Sequence, residues 1–180
     1  MHSHTVRRLL ALVRTTIFAI VVMGTVGIYL PYFLGFLGDD MHIADARGIG
    51  ILPLLLGGYI ALRCAFSFAW SGLGTPLPLD PPRHLVVAGL YRHARNPMYT
   101  GVVLFLFGEW LLWGTNLRGF AIYLAAVIIA VSGFVVLYEE PTLTRKFGAE
   151  YDEYRKNVPR FVPRLEPWAP KSKSAASSQG

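Results

Sequence analysis

The sequence predicts an all-α integral membrane protein with about four transmembrane helices, and three observations carry that expectation. Hydrophobic residues make up 53% of the 180 positions and charged residues only 16%, against about 25% charge in ordinary soluble domains. Apolar runs recur along the chain, most of them close to the ~20 residues a helix needs to cross a bilayer. Arginines and lysines gather in alternate segments between those runs. One domain is expected at this length, residues 1–170, with the polar ending KSKSAASSQG at 171–180 read as a disordered tail.

The first run is TTIFAIVVMGTVGIYLPYFLGFL, residues 15–37. It exceeds the apolar core of a signal peptide, about 7–15 residues, and no A-x-A cleavage pattern follows, so it is expected to stay as a helix. The second lies within GIGILPLLLGGYIALRCAFSFAW, residues 48–70. The third, YTGVVLFLFGEWLLWG at 99–114, is short and suits a thinned or partly interfacial segment. The fourth is GFAIYLAAVIIAVSGFVVLY, residues 119–138; only four residues separate it from the third, which predicts a tight antiparallel hairpin.

Charge placement sets the orientation. Arg7, Arg8 and Arg14 precede the first span, Arg83, Arg92 and Arg95 follow the second, and Arg145, Lys146, Arg155, Lys156, Arg160 and Arg164 follow the fourth. The first loop instead sets Asp39, Asp40 and Asp45 against Arg47. The positive-inside rule then puts both termini and the long connector in the cytoplasm, with a bacterial inner membrane as the expected location. The net charge of +6 therefore points to lipid headgroups, not nucleic acid. Cys64 is the lone cysteine and lies in an apolar run, so no disulfide framework or cysteine metal knuckle is expected, and no metal site.

Polar chemistry accumulates on the cytoplasmic side, in the connector from Ser71 to Met98 and in the segment from Glu139 onward. In RNPMYTG, Asn96 is placed to cap a helix whose first residue is Pro97, where a missing N–H costs nothing. Such a helix start, dipole-positive, suits a carboxylate, although it is also simply a well-made beginning of a span. In YEEPTL, adjacent helical residues project about 100° apart, so Glu139 is expected to face the bundle and attract a cationic or amine-bearing ligand. Glu140 is expected to meet water, and Pro141 to begin a new segment. After it, Leu143, Phe147, Tyr151, Tyr154 and Val158 form one stripe of an amphipathic helix, either lying on the membrane or lidding the connector's pocket. Glu109 and Arg63 are intramembrane charges; a mutual ion pair or snorkelling accounts for them as well as a substrate role, and both stay outside the core site.

Together these pieces resemble the membrane-embedded isoprenylcysteine carboxyl methyltransferase and phospholipid methyltransferase superfamily. The resemblance covers about residues 72–163 and is carried by the GTPLP…PP lead-in, GLYRHARNPMY, EEPTL and FGAEYDEYRKNVPRFVP. It implies S-adenosylmethionine as cofactor, held outside any Rossmann fold, in a cytoplasmic pocket built from the 71–98 connector and the C-terminal segment. It implies methyl transfer to a lipophilic or membrane-associated small acceptor: an isoprenylcysteine-like carboxylate, a thiol or a lipid amine. By motif position the cofactor contacts are Arg83, His84, Leu85, Val86, Tyr91, Asn96, Pro97, Met98, Tyr99 and Glu139, with Tyr99 and Glu139 the catalytic pair. Two departures stand out. The family often has His where this chain has Asn96, and Val135 replaces the arginine that the eukaryotic prenylcysteine enzymes place four residues before the acidic pair. The resemblance therefore leaves the acceptor open. The competing readings are an NADPH-dependent membrane reductase of the sterol-reductase type and a non-enzymatic membrane protein, such as an assembly factor or small-solute carrier.

Overall fold

The computed structural model describes Val13, Ile17 and residues 20–38, 46–70 and 85–170, with Ala46 and residues 68–70 by backbone alone. Arg83, His84 and the first part of the connector, together with the N-terminal arginines and the 171–180 tail, lie outside the described residues. Among the described residues the architecture is helical, with a lone β-bridge between Leu37 and Gly114 and no strand. Helix α1 is Ile20–Phe33, π-helical over Met23–Tyr29. A 3-10 turn at Ala46–Gly50 leads into α2, Ile51–Trp70. Helix α3 is Pro97–Trp113, α4 is Leu117–Phe147 and α5 is Ala149–Asn157.

Among the described residues two helices are long and apolar enough to cross a bilayer: the stretch Arg47–Ser67, made of the preceding turn and most of α2, and α4. The helices α1 and α3 are apolar but shorter; the 17 residues of α3 rise only about 25 Å. Ile122 and Ile129, seven residues apart on one face of α4, are each 71% exposed, an outward apolar face that suits lipid rather than water. The sequence expectation of a membrane protein is met at this level.

The central contact is α2 against α3, and glycine makes it possible. A Cβ on Gly57 would collide with the backbone of Gly101 and Phe105, and one on Gly108 with the backbone of Leu54. Small residues that let two backbones touch supply the packing that hydrophobic burial cannot drive between helices in lipid. This register also separates the two intramembrane charges. Gly108 lies beside Leu54 and Gly101 beside Ala61, so Glu109 and Arg63 sit near opposite ends of the helix pair. No ion pair joins them, and the buried Glu109 carboxylate keeps one oxygen, Oε2, without a hydrogen-bond partner among the described residues.

The α3–α4 hairpin is as tight as expected: Asn116 Oδ1 accepts from Gly119 N–H at 2.9 Å and starts α4. Arg47 closes the same end of α3, donating to Leu111 O at 3.0 Å and to Gly114 O. Pro141, however, does not begin a new element. Helix α4 runs through it, widening into a π turn over Val135–Glu139 in which Glu140 N–H reaches back to Val135 O. Proline's ring would collide with the carbonyl four residues earlier in a regular α turn, and the wide turn just before Pro141 takes up that misfit. The break comes instead at Gly148, with φ 52° and ψ −126°, a conformation open to glycine.

Candidate functional site

Four pieces of chain meet at one end of the α2–α3 pair: the segment Leu85–Asn96, the start of α3, the π turn of α4, and the strap Val158–Trp168 after α5. Leu85 to Ala88 is extended, so alternate side chains face opposite ways. Val86 joins the buried cluster of Cys64 and Tyr91, against which Met98 packs. Leu85 and Val87 pack against Tyr151, Tyr154 and Val158. The stripe read from the sequence is thus real, although Gly148 divides it between α4 and α5, and it covers the end of the connector. Of the RHLV block, Leu85 and Val86 are packing side chains; a ligand would meet their main chain.

Tyr99, on the first turn of α3, donates from its hydroxyl to Glu139 Oε2 at 3.3 Å. Residues forty positions apart in sequence, each singled out from its motif, are therefore brought together. Tyr91 lies on the neighbouring 3-10 turn Gly89–Arg92. Burial, reinforced by the nearby Cys64 and Glu139, holds its phenol well above the ordinary value and keeps it protonated. Its main-chain carbonyl accepts from the buried Tyr154 hydroxyl at 2.6 Å.

Asn96 precedes Pro97 as expected, but its side chain makes no cap. Its backbone N–H donates to Arg160 O at 3.0 Å, and Nδ2 reaches the same carbonyl at 3.4 Å. The strap has taken the residue that was to serve the helix, leaving the first-turn amides of α3 without an asparagine partner. More strap contacts follow: Arg95 N–H to Pro159 O at 2.9 Å, Arg164 N–H to His93 O at 3.0 Å, and Thr100 Oγ1 to Phe161 O at 3.1 Å.

Glu140 is the main correction. Expected to meet water, it is buried and holds two arginines. Arg95 Nη1 donates to its Oε1 at 2.7 Å, and Arg160 donates in a fork, Nε to Oε1 at 2.7 Å and Nη2 to Oε2 at 2.9 Å. Arg95 also reaches the Tyr151 hydroxyl at 3.1 Å and Val158 O at 3.0 Å. The π turn re-aims the end of α4, so that Glu139 points to Tyr99 and Glu140 to the strap. Arg95, Arg160, Tyr151 and Tyr154 were not selected as site residues from the sequence. The available signal was stoichiometric: two arginines, each inside a proline-bearing motif, matched two adjacent acids.

Residues 47–150 match the family described as phospholipid methyltransferase. The chain belongs to that family. Two curated relatives carry methyltransferase names. The protein-S-isoprenylcysteine O-methyltransferase of Schizosaccharomyces pombe is 30% identical over 79 residues, 44% of this chain and 33% of the relative. Protein-S-isoprenylcysteine O-methyltransferase B of Arabidopsis thaliana is 33% identical over 114 residues, 62% of this chain and 57% of the relative. The matches thus span between a third and just over half of those relatives' lengths. No solved structure is significantly similar. Within the phospholipid methyltransferase match lie Tyr91, Asn96, Tyr99, Glu139 and Glu140, whereas Arg160 and the strap lie beyond it.

Proposed function

We propose that this member of the phospholipid methyltransferase family moves a methyl group from S-adenosylmethionine to a lipophilic acceptor at the cytoplasmic membrane face. One observation carries the proposal: the Tyr99–Glu139 contact, made where the start of α3 meets the end of α4, with no basic side chain on Glu139 among the described residues. The groups present fit the cofactor's chemistry. An amino acid moiety presents an ammonium, for which Glu139 is an anion without a cationic partner, and a carboxylate, for which the uncapped first turn of α3 offers N–H groups and a positive dipole end. Tyr91 and Tyr99 offer aromatic faces to a sulfonium. When bound, S-adenosylmethionine supplies an electrophilic methyl group.

The chain's own part is then positioning. Tyr99 orients Glu139, Glu139 fixes the cofactor's amine, and the strap braces the α3 start through its bonds to Asn96 and Thr100. Holding two reactants in line accounts for most of the rate in such a displacement. A carboxylate or thiolate acceptor needs no base; a lipid amine would surrender its proton to Glu139, directly or through the Tyr99 hydroxyl that donates to it. A lateral path from the bilayer gives a lipophilic acceptor access that a soluble fold would not.

Titration calorimetry of the detergent-purified chain with S-adenosylmethionine, S-adenosylhomocysteine and NADPH tests this reading. Binding of the first two is expected, together with transfer of labelled methyl into a lipid extract. Binding of NADPH alone would replace the reading with that of a reductase, and binding of none with that of a non-enzymatic membrane protein.

A further inference from the structure

We infer that Glu140 is a positioning residue whose task is to keep Arg160 away from Glu139, leaving Glu139 free for a cationic group; this rests on the reading of Glu139 as the contact for the methyl donor's amine. Two acids and two arginines gather at this corner, and their charges sum to zero, yet they do not divide evenly. Both guanidinium groups lie on Glu140. Glu139, its neighbour in the chain, meets the Tyr99 hydroxyl and no basic side chain among the described residues.

The two arginines are held differently. Arg95 is buried and is anchored apart from Glu140, through the Tyr151 hydroxyl and Val158 O. It stays where it is when Glu140 loses its charge. The Arg160 side chain is 38% exposed, and among the described residues its guanidinium donates to Glu140 alone. Arg160 O accepts from Asn96 N–H and Phe161 O from Thr100 Oγ1, which sets the base of the long Arg160 side chain beside the α3 turn whose Tyr99 contacts Glu139. Remove the charge at Glu140, and Arg160 becomes an untethered cation beside an uncompensated anion. It then competes with any ammonium for Glu139. The fork that Arg160 makes with Glu140, geometrically suited to a carboxylate, is thus what keeps the adjacent carboxylate available.

The test is a pair of variants in the full-length, detergent-purified chain, with S-adenosylhomocysteine and S-adenosylmethionine as probes. Glu140→Gln keeps the shape and one acceptor oxygen but removes the charge and the second acceptor, and is expected to weaken both probes by about fivefold, the scale of a half-exposed ion pair. The double variant Glu140→Gln, Arg160→Gln removes the competitor and is expected to recover most of the wild-type affinity. A purely structural clasp predicts the opposite, because the second substitution removes another clasp member. A double variant that binds as weakly as Glu140→Gln, or more weakly, overturns the inference. Arg160→Gln alone carries the test if Glu140→Gln does not fold: binding within about twofold of wild type supports the inference, and a loss of about fivefold overturns it. Failure of the wild-type chain to bind either probe overturns the reading of Glu139 as well, so the two failures are told apart.

Discussion

Arg160 grips Glu140 with both arms of its guanidinium, at 2.7 and 2.9 Å, across twenty residues of chain that include the whole of α5. That fork, with Arg95 on the same carboxylate, ties together the end of α4, the approach to α3 and the C-terminal strap. The partners differ in burial, and stability should follow that difference. The Arg95 and Glu140 side chains are only 8% and 9% exposed, and that of Arg160 is 38% exposed. Glu140→Ala strands the buried Arg95 charge and should cost about 3–5 kcal/mol. Arg160→Ala leaves the Arg95–Glu140 pair intact and should cost about 1 kcal/mol or less. Thermal unfolding of the two variants in detergent checks the ordering; equal losses would mean that the strap, not the buried charge, sets the stability.

Helix contact through glycine gives a second expectation. Gly108→Ala places a methyl group against the Leu54 backbone, and Gly57→Ala places one against the backbone of Gly101 and Phe105. Neither neighbour is a side chain that can swing away, so each variant should separate α2 from α3 and lower the yield of folded protein. Gly133 is the control. It lies within α4, and an added Cβ there meets nothing within 4 Å. Gly133→Ala should leave stability unchanged or raise it by about 0.5–1 kcal/mol through helix propensity. Size-exclusion profiles and melting curves distinguish the three.

The pattern of success from sequence follows the range of the interactions involved. The runs that make α2, α3 and α4 were readable because apolar length is a local property. Tyr99 and Glu139 could be singled out because each lies in a short motif at a span boundary, and the structure brings them into contact. Glu140 was misread because its partners, Arg95 and Arg160, come from two distant places in the chain, and a neighbouring pair of acids gives no sign of which one is paired. The π turn before Pro141 was equally hidden: the proline was read as a break, whereas a wide helical turn accommodates it. The amphipathic stripe showed that Tyr151 and Tyr154 would be covered but not by what, since Leu85 and Val87 carry no periodic signal of their own.

Tyr154 tests that covering. Its hydroxyl donates to the main-chain carbonyl of Tyr91 inside the protein, and burial holds the phenol above its ordinary value, so it stays a donor through neutral pH. Tyr154→Phe keeps the ring against Trp168 and Tyr151 and leaves the carbonyl unsatisfied. A loss of about 1–2 kcal/mol in stability is expected, with the turn that carries Tyr91 exchanging its amide hydrogens faster. Unaltered exchange at residues 89–92 would show that the turn is held by packing alone.

Tyr99→Phe isolates one hydrogen bond of the proposed site. The ring remains at the start of α3, and Glu139 loses the one hydroxyl it accepts from among the described residues. A hydrogen bond to a charged group contributes about 1.5–3 kcal/mol, so affinity for S-adenosylhomocysteine should fall by about tenfold or more while folding is preserved. Affinity equal to wild type would remove Tyr99 from the site.

Glu109 provides the contrasting case, an acid whose removal should leave the site intact. It lies twelve residues along α3 from Pro97, about 18 Å at 1.5 Å per residue, at the end of the bundle away from Tyr99 and Glu139. Its buried carboxylate has an oxygen without a partner among the described residues, and an unpaired polar group of that kind costs about 1–3 kcal/mol. Glu109→Met fills similar space with an apolar chain and should raise the melting temperature. Affinity for S-adenosylhomocysteine should not change, because the length of α3 sets Glu109 well away from the Glu139 corner. A stabilised variant with wild-type affinity would identify Glu109 as a tolerated internal cost; lost affinity would connect the two ends of α3 and extend the site through the bundle.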